Sequence, residues 1–352
     1  MVNYPDWLEK WWTGYARDIP PLQLEKRIRE LSDSYTIDRS RSFPNFDSRP
    51  DLIPAYGLFF FPQTFSRVQF PLLEAVQRGL ARENVSLLDL GSGMGAAALG
   101  ASTVLQVNHA KCIDQSRSAL DILKKLRPEW STQAADFRQL NAWSDEQYDL
   151  ILISFALNEA FKSETPTAIY SWITKLMTRL NPGGLLLILE PALRESSEQL
   201  EKIRNLIASE NRFFIWGPCL HHQDCPLLRA GKFWCHEVRQ WRVPQSLSFL
   251  NRHLYREIAV LKFSFLMIGK EPAFPVEQTE EIFRLISPIT KLKGKYVAKG
   301  CAADGLEHEY FWLKRGLNEE MKHRMNEFER GDILRFQDRQ PVNLWSGTNM
   351  LE

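Results

Sequence analysis

From residue 81 to about 270, short apolar runs alternate with amphipathic stretches. The runs 85–90 (VSLLDL), a segment ending at Ile113-Asp114, 133–137, 148–154 (YDLILIS), 185–189 and 213–216 have the length and composition of buried strands. Between them, apolar residues recur at helical spacing over 118–126, 169–180 and 195–209. Pro128 closes the first of these helices, and Asn181-Pro182-Gly183-Gly184 stops the second as a turn. This alternation predicts an α/β fold built on a doubly wound sheet. A seventh strand is expected at 263–268, pairing with the sixth after a long interruption.

The flanks follow other patterns. Residues 1–80 read as a helical region, with Trp7, Leu8, Trp11, Trp12 and Tyr15 at helical spacing and Leu22, Ile28, Leu31 and Tyr35 continuing it. A proline-dotted link at 43–50 precedes the aromatic stretch 55–62 and a helix-like 65–80. These aromatics are expected to pack in the core; nothing specific marks Tyr56 or Phe60 for stacking on RNA. Residues 271–352 read as a β-rich extension, with 289–298 and 309–313 as a hairpin around Cys301 and a loosely ordered tail after Phe336. The main domain thus spans 81–270, interrupted by an insertion at 217–258.

The first strand runs into Gly91-Ser92-Gly93-Met94-Gly95 and a small-residue helix start. Glycines there let the backbone leave the strand and approach a ligand closely. Asp114 stands at the tip of the next strand, about 20 residues on, the interval of a ribose-binding acid. Acid, turn and second acid together favour a nucleotide-type cofactor over a bare turn. The dinucleotide form G-x-G-x-x-G is not met, because the run reads G-S-G-M-G-A. Asn158 and Glu159, after the fourth strand, fall on the edge where such folds hold ligands and are the candidates for contact near the reacting group. Asp136, after the third strand, is equally a cofactor contact or a loop-capping carboxylate.

With 44% hydrophobic and 25% charged residues, the chain has the composition of an ordinary globular protein. A formal net charge of +1 gives no global attraction to nucleic acid or membrane, so any such contact must be local. No apolar run reaches the length of a membrane span, and neither a membrane nor a DNA partner is expected. The opening residues lack the apolar core of a signal peptide and the acid-poor character of a transit peptide. A cytoplasmic address fits, or the mitochondrial matrix for a eukaryotic chain. Five cysteines argue against a disulfide framework and for a reducing compartment.

Three of those cysteines sit in the insertion as Cys219-x5-Cys225-x9-Cys235, and Cys301 lies far downstream. Cys112, inside the second strand, reads as a plain buried cysteine. Clustered thiols among prolines and glycines suggest a metal, and thiolates bind zinc and iron-sulfur clusters alike. The spacing is wider than that of zinc ribbons but does not identify iron. His221, His222 or His236 could complete a zinc site with three cysteines. Cys219 as a covalent nucleophile is disfavoured by its cluster of companions.

The form D-L-G-S-G-M-G resembles motif I of class I S-adenosylmethionine-dependent methyltransferases. The resemblance implies that Asp89 and the Gly91, Ser92, Gly93 and Gly95 backbone hold the methionine part, Asp114 the ribose and Asp136 the adenine amino group. An N-P-P-[YF] loop, the mark of base amino-methylation, is absent. N-E after the fourth strand, E-P after the fifth, C-x5-C-P…W-C-H and a late C-x-x-D-G resemble the methyltransferase-like family of small-ribosomal-subunit assembly factors over about 50–335. That resemblance implies a [4Fe-4S] cluster on Cys219, Cys225, Cys235 and Cys301, binding to the small ribosomal subunit and its rRNA, and catalysis that is vestigial. The competing expectation is an active rRNA methyltransferase with a structural zinc or iron-sulfur site. Lys291, Lys293, Lys295, Lys299, Lys314 and Arg315 interleave with Tyr296, Tyr310, Phe311 and Trp312, a mixture suited to RNA backbone and splayed bases. Arg239, Trp241 and Arg242 are expected to extend that patch.

Overall fold

The computed structural model describes residues 2–36, 45–142, 145–254, 258–273, 279–337 and 340–346. The expected link at Phe43-Pro44 and the chain beyond Ser346 lie outside them. At the N-terminal end, α1 (Asp6–Tyr15) and α2 (Pro21–Thr36) bury Leu8, Trp12, Ile28 and Leu31. A continuous helical passage follows: a 3-10 turn, α3 (Ile53–Ala55), a π-helical turn (Tyr56–Phe60) and α4 (Phe61–Gln77). Helix α4 is buried nearly all round, with Phe61, Phe65, Val68, Phe70 and Leu72 beside polar Gln63, Gln69 and Glu74, as befits a helix sandwiched between layers.

The strands and helices then alternate: β1 (Asn84–Leu90), α5 (Ala96–Ala101), β2 (Gln106–Asp114), α6 (Arg117–Leu126), β3 (Ser131–Ala134), β4 (Tyr148–Ser154), α7 (Leu157–Ala160), α8 (Pro166–Leu176), β5 (Leu180–Pro191), α9 (Arg194–Glu210) and β6 (Phe214–Gly217). The insertion contributes α10 (Pro226–Ala230), β7 (Glu237–Gln240) and α11 (Gln245–Leu254), and β8 (Val260–Gly269) closes the domain. The sheet order is β3-β2-β1-β4-β5-β8-β6, with β7 also on β8. The pairs among β1 to β5 are parallel, while β8 runs antiparallel to β5, β6 and β7. The expected α/β doubly wound sheet is thus what the chain forms.

The leucine-rich runs look continuous because both sheet faces are buried. Leu150, Leu152, Leu185, Leu187 and Leu189 join one core cluster with the N-terminal helices. Their alternates Ile151, Ile153, Leu186 and Ile188 join the other, against α8 and α9. Asn181 to Gly184, expected as a turn, lies inside β5. The register with β4 slips between Tyr148 and Leu150, and Gly183 takes φ +69° to absorb the irregularity.

A second, antiparallel sheet follows, formed by β9 (Ile282–Leu285), β10 (Thr290–Lys291), β11 (Lys295–Ala302), β12 (Glu307–Leu313), β13 (Ile333–Gln337) and β14 (Gln340–Trp345), with α12 (Glu319–Arg324) beside it. The expected hairpin is shifted: its strands are β11 and β12, with Cys301 opposite Glu307 and Asp304-Gly305 at the turn. Of the tail after Phe336 expected to be loosely ordered, the described residues 340–346 supply the second strand of the β13–β14 hairpin, and Trp345 is buried beneath the guanidinium groups of Arg239 and Arg284.

Buried charges weld this sheet to the main domain. Arg284 on β9 reaches Glu74 on α4 at 2.6 Å and the Pro218 carbonyl at 2.6 Å. Arg239 on β7 pairs with Glu237 at 2.7 Å and with Asp332. Burial works against the Glu74 carboxylate, but Arg284 and Arg78 outweigh it and hold its pKa low. Among the described residues no helix is long and apolar enough to cross a membrane.

Candidate functional site

The chain leaves β1 toward β2 on one side and enters β4 on the other, so the switch point lies between β1 and β4. In open α/β sheets the ligand crevice forms there, outside the carboxyl ends of the strands. Two loops meet at that edge. Gly91, Gly93 and Gly95 all take positive φ, at 70°, 52° and 81°. At Gly91 a Cβ would lie 2.4 Å from the Ala156 Cβ, whereas at Gly93 it would meet nothing within 4 Å. The turn is therefore pressed against the loop after β4 at its first glycine and open at its second. Opposite it, Phe155 has φ 59°, strained for a bulky residue, and donates its N–H to the Leu189 carbonyl at 2.8 Å.

The electrostatics of the crevice are acidic. Asp89 is fully buried, and neither carboxylate oxygen has a partner in hydrogen-bond geometry. Burial pushes its pKa up to about 7; the Ala98 N–H opposes this, and neighbouring Asp114 adds to it. Asp114 accepts the Gly93 N–H at 2.7 Å and the Ser116 N–H at 2.8 Å, and burial raises its pKa as well. Two N–H groups leave lone pairs on that carboxylate for further donors such as a ribose diol. Asp47, from the loop before α3, caps the first turn of α6 by accepting from Ser118 N at 2.7 Å and Ser116 Oγ at 3.0 Å. The Ser92 and Ser154 hydroxyls are buried without partners. Such a set of acceptors and glycine backbone suits a cationic, nucleoside-bearing ligand, and S-adenosylmethionine has that character.

The remaining predicted residues spread out. Asp136 is held by Arg138, at 2.6 Å to Nη2 and 3.0 Å to Nε, and this contact keeps its pKa low. It acts in the structure as the carboxylate that shapes its own loop. Asn158 and Glu159 both lie on α7 but point apart. The Asn158 N–H reaches Glu190 at 3.3 Å, and its side chain lines a cleft with Lys162, Glu195, Ser196 and Lys202. Glu159 instead acts on Tyr35 and Tyr56, on the glycine-turn side, and helps to raise their pKa.

The thiols gather elsewhere. Cys219, Cys225 and Cys235 line one pocket, floored by Ser197, Ser264 and Phe265 and walled by Leu200, Glu201 and Arg204 of α9. Cys301 arrives from β11 and packs with Cys235 against the apolar cluster that contains Cys225. All four are free thiols, as is Cys112, which is buried in β2 as expected. Burial pushes the Cys225 thiol up to about 12 and raises Cys235 and Cys301 well above the ordinary value. A bound metal would reverse this by deprotonating them. Among the described residues no group of three or more His, Cys, Asp or Glu side chains is set closely enough to hold one metal ion.

Three residues of α9 organise this pocket, and no motif flagged them. Arg204 donates to Cys219 Sγ at 3.3 Å and to the His221 carbonyl at 2.9 Å. Asn205 Oδ1 accepts the Cys225 N–H at 2.8 Å, and Glu201 accepts the Cys235 N–H at 2.5 Å. His221 Nε2 lies 3.5 Å from Cys301 Sγ, while its Nδ1 lies 3.2 Å from Arg204. Burial would pull Arg204 down, but Cys219 and the neighbouring thiols lift it. The readable signal was positional: Glu201 and Arg204 share a helix face with buried Leu200, Ile203 and Ile207. His222 faces the Phe214 ring and His236 the Trp234 ring.

The expected aromatic–basic patch is largely overturned. Tyr296, Tyr310 and Trp312 are buried in the core of the second sheet, Tyr310 stacked on Phe283 and Trp312 tilted toward it. Arg239 and Trp241 are buried too, Arg239 within the ion network above. Phe311 stays 55% exposed beside Lys295, and Lys291, Lys293, Arg242 and Arg315 are exposed. The surface is basic with one aromatic, not an aromatic platform.

The structure is a mostly parallel α/β sheet with a glycine turn and buried acids at its switch point. The chain belongs to the mitochondrial small ribosomal subunit Rsm22 family, whose sequence profile matches residues 51–346. Among curated proteins no sequence match was found. Similar solved structures include the plantazolicin methyltransferase BpumL in complex with a substrate analogue and SAH, at 15% identity and TM-score 0.40, covering 70% of this chain and 99% of that one. The ribosomal protein L11 methylase from Lactobacillus delbrueckii subsp. bulgaricus shows 16% identity and TM-score 0.33 over 57% of this chain and 77% of its own. An rRNA methylase from Streptococcus thermophilus shows 13% and 0.33 over 56% and 94%.

Proposed function

We propose that this protein is an S-adenosylmethionine-binding, methyltransferase-like factor for small ribosomal subunit assembly. In this reading it carries a [4Fe-4S] cluster on Cys219, Cys225, Cys235 and Cys301. The observation that carries the proposal is that three insertion thiols line one pocket and Cys301 packs with one of them, Cys235, against the apolar cluster that contains Cys225, in a chain of this family. The cluster would then brace β11 against the insertion, fixing the basic surface of Lys291, Lys293, Lys295 and Arg315 relative to the main domain. The family's name supports a mitochondrial location and the small ribosomal subunit as partner, and in this reading the contact is with the subunit's rRNA in the matrix.

Catalysis is vestigial in this account, because Asn158 and Glu159 diverge and the Asn158 side-chain amide donates to Ser196 Oγ at 3.5 Å, away from Glu159. The test is co-sedimentation of the full chain with immature small subunits, with labelled S-adenosylmethionine present. Binding without methyl transfer to rRNA is the predicted result. Transfer that is lost on Gly91→Ala would make the protein an active rRNA methyltransferase. Failure to bind immature subunits would remove the assembly role.

A further inference from the structure

Beside the crevice stands a cation, Arg67, that no carboxylate balances among the described residues. Arg67 rises from α4 and lays its guanidinium over the Phe155 ring, 5.2 Å from the centroid. Phe155 precedes Ala156, the residue pressed on Gly91, so Arg67 stands one side-chain layer from the glycine turn. Its Nη2 donates to the Gln63 amide oxygen at 3.0 Å, and Gln63 is itself oriented by donating to the Phe59 carbonyl at 2.6 Å. Its Nε is shut off from solvent without a partner, and among the described residues no carboxylate pairs with it. Arg67 is half-buried, and a guanidinium drawn out of water whose hydrogen-bond partner is neutral is costly unless an anion completes it. Arg239 and Arg284, by contrast, each have carboxylates. Burial pulls the Arg67 pKa down to about 10, with the Tyr56 hydroxyl opposing.

Resting on the reading of the crevice as an S-adenosylmethionine site, we propose that Arg67 is the seat of the cofactor's α-carboxylate. The buried Asp89 would face the cationic part, so the two ends of the amino-acid portion meet opposite charges. Arg67, Gln63 and Phe155 would thereby select an amino-acid-bearing nucleoside over a plain one. An arginine fork matches a carboxylate in geometry as well as charge.

The test is calorimetry on the full chain with two probes, S-adenosylmethionine and decarboxylated S-adenosylmethionine, which keeps the sulfonium and the amine. Wild type should prefer S-adenosylmethionine by at least about tenfold. Arg67→Gln should lose that preference, with the affinity for the decarboxylated probe unchanged, and Arg67→Lys should keep part of it. Equal affinity of wild type for both probes overturns the proposal, as does an Arg67→Gln variant that keeps the preference or weakens both probes alike. If Arg67→Gln does not fold, the wild-type ratio and Arg67→Lys decide. Wild type binding neither probe overturns the cofactor reading itself, and the Arg67 assignment with it.

Discussion

Asp89 should make the protein's stability depend on pH in a direction opposite to that of an ordinary ion-paired carboxylate. Its carboxyl is fully buried without a partner in hydrogen-bond geometry, and titrates at about 7 where an unfolded chain has 3.8. The folded state therefore holds the proton more tightly than the unfolded state. Stability is then lost as pH rises from about 4 through 7 and stays low above that. At about 1.4 kcal/mol per pH unit, the penalty amounts to about 4 kcal/mol at pH 8 and about 2 kcal/mol at pH 5.5. Asp89→Asn cannot ionise and should escape this penalty, while any misfit of the buried amide is the same at both pH values. Urea unfolding of both proteins, without added cofactor, should show the variant gaining about 2 kcal/mol on wild type between pH 5.5 and pH 8. The same variant should bind S-adenosylmethionine more weakly, since the carboxylate facing its cation is gone. A stability difference identical at the two pH values would refute the reasoning, because it would mean that Asp89 is solvated or paired.

Gly91→Ala should abolish cofactor binding and lower stability by more than about 2 kcal/mol, since the new Cβ meets Ala156 at 2.4 Å on a left-handed backbone. Gly93→Ala, in open space, should cost only the backbone strain of about 1–2 kcal/mol; equal costs in thermal unfolding would contradict the asymmetry. Arg284→Met leaves buried Glu74 with Arg78 alone and should cost about 1.5–3 kcal/mol in denaturant unfolding, and a loss below about 1 kcal/mol would show that the second sheet is held otherwise. Arg204→Met removes the donor to Cys219 and should weaken metal retention about 10- to 100-fold against a chelator; unchanged retention would make α9 a bystander.

The parts of the fold legible in the sequence were those encoded by local pattern. The glycine turn, the acid before it and Asp114 could be read because backbone freedom and a strand-tip carboxylate are local properties. The Asn181 to Gly184 segment misled, because the same residues serve a turn or a strand irregularity, and only the register with β4 decides between them. The run Tyr310-Phe311-Trp312 gave no hint of which ring faces out. That was settled by β11 and Phe283, which place Tyr310 and Trp312 inward and leave Phe311 outside. Arg239 looked like a surface charge because its partner Asp332 lies 93 residues away, and Glu74 lies 210 residues from Arg284. Arg67 carried no motif at all. Its significance comes from the absence of a carboxylate around it, which spacing along the chain cannot express.

The account turns on what the four thiols hold. The most direct measurement is the iron, zinc and acid-labile sulfide content of the full chain purified without oxygen, beside a Cys301→Ser variant. Iron and sulfide in equal amounts, lost or destabilised when Cys301 is changed, are predicted, because Cys301 packs with Cys235 against the cluster that contains Cys225. Zinc without sulfide, indifferent to Cys301, would contradict the account and leave a three-thiol zinc site completed by a histidine.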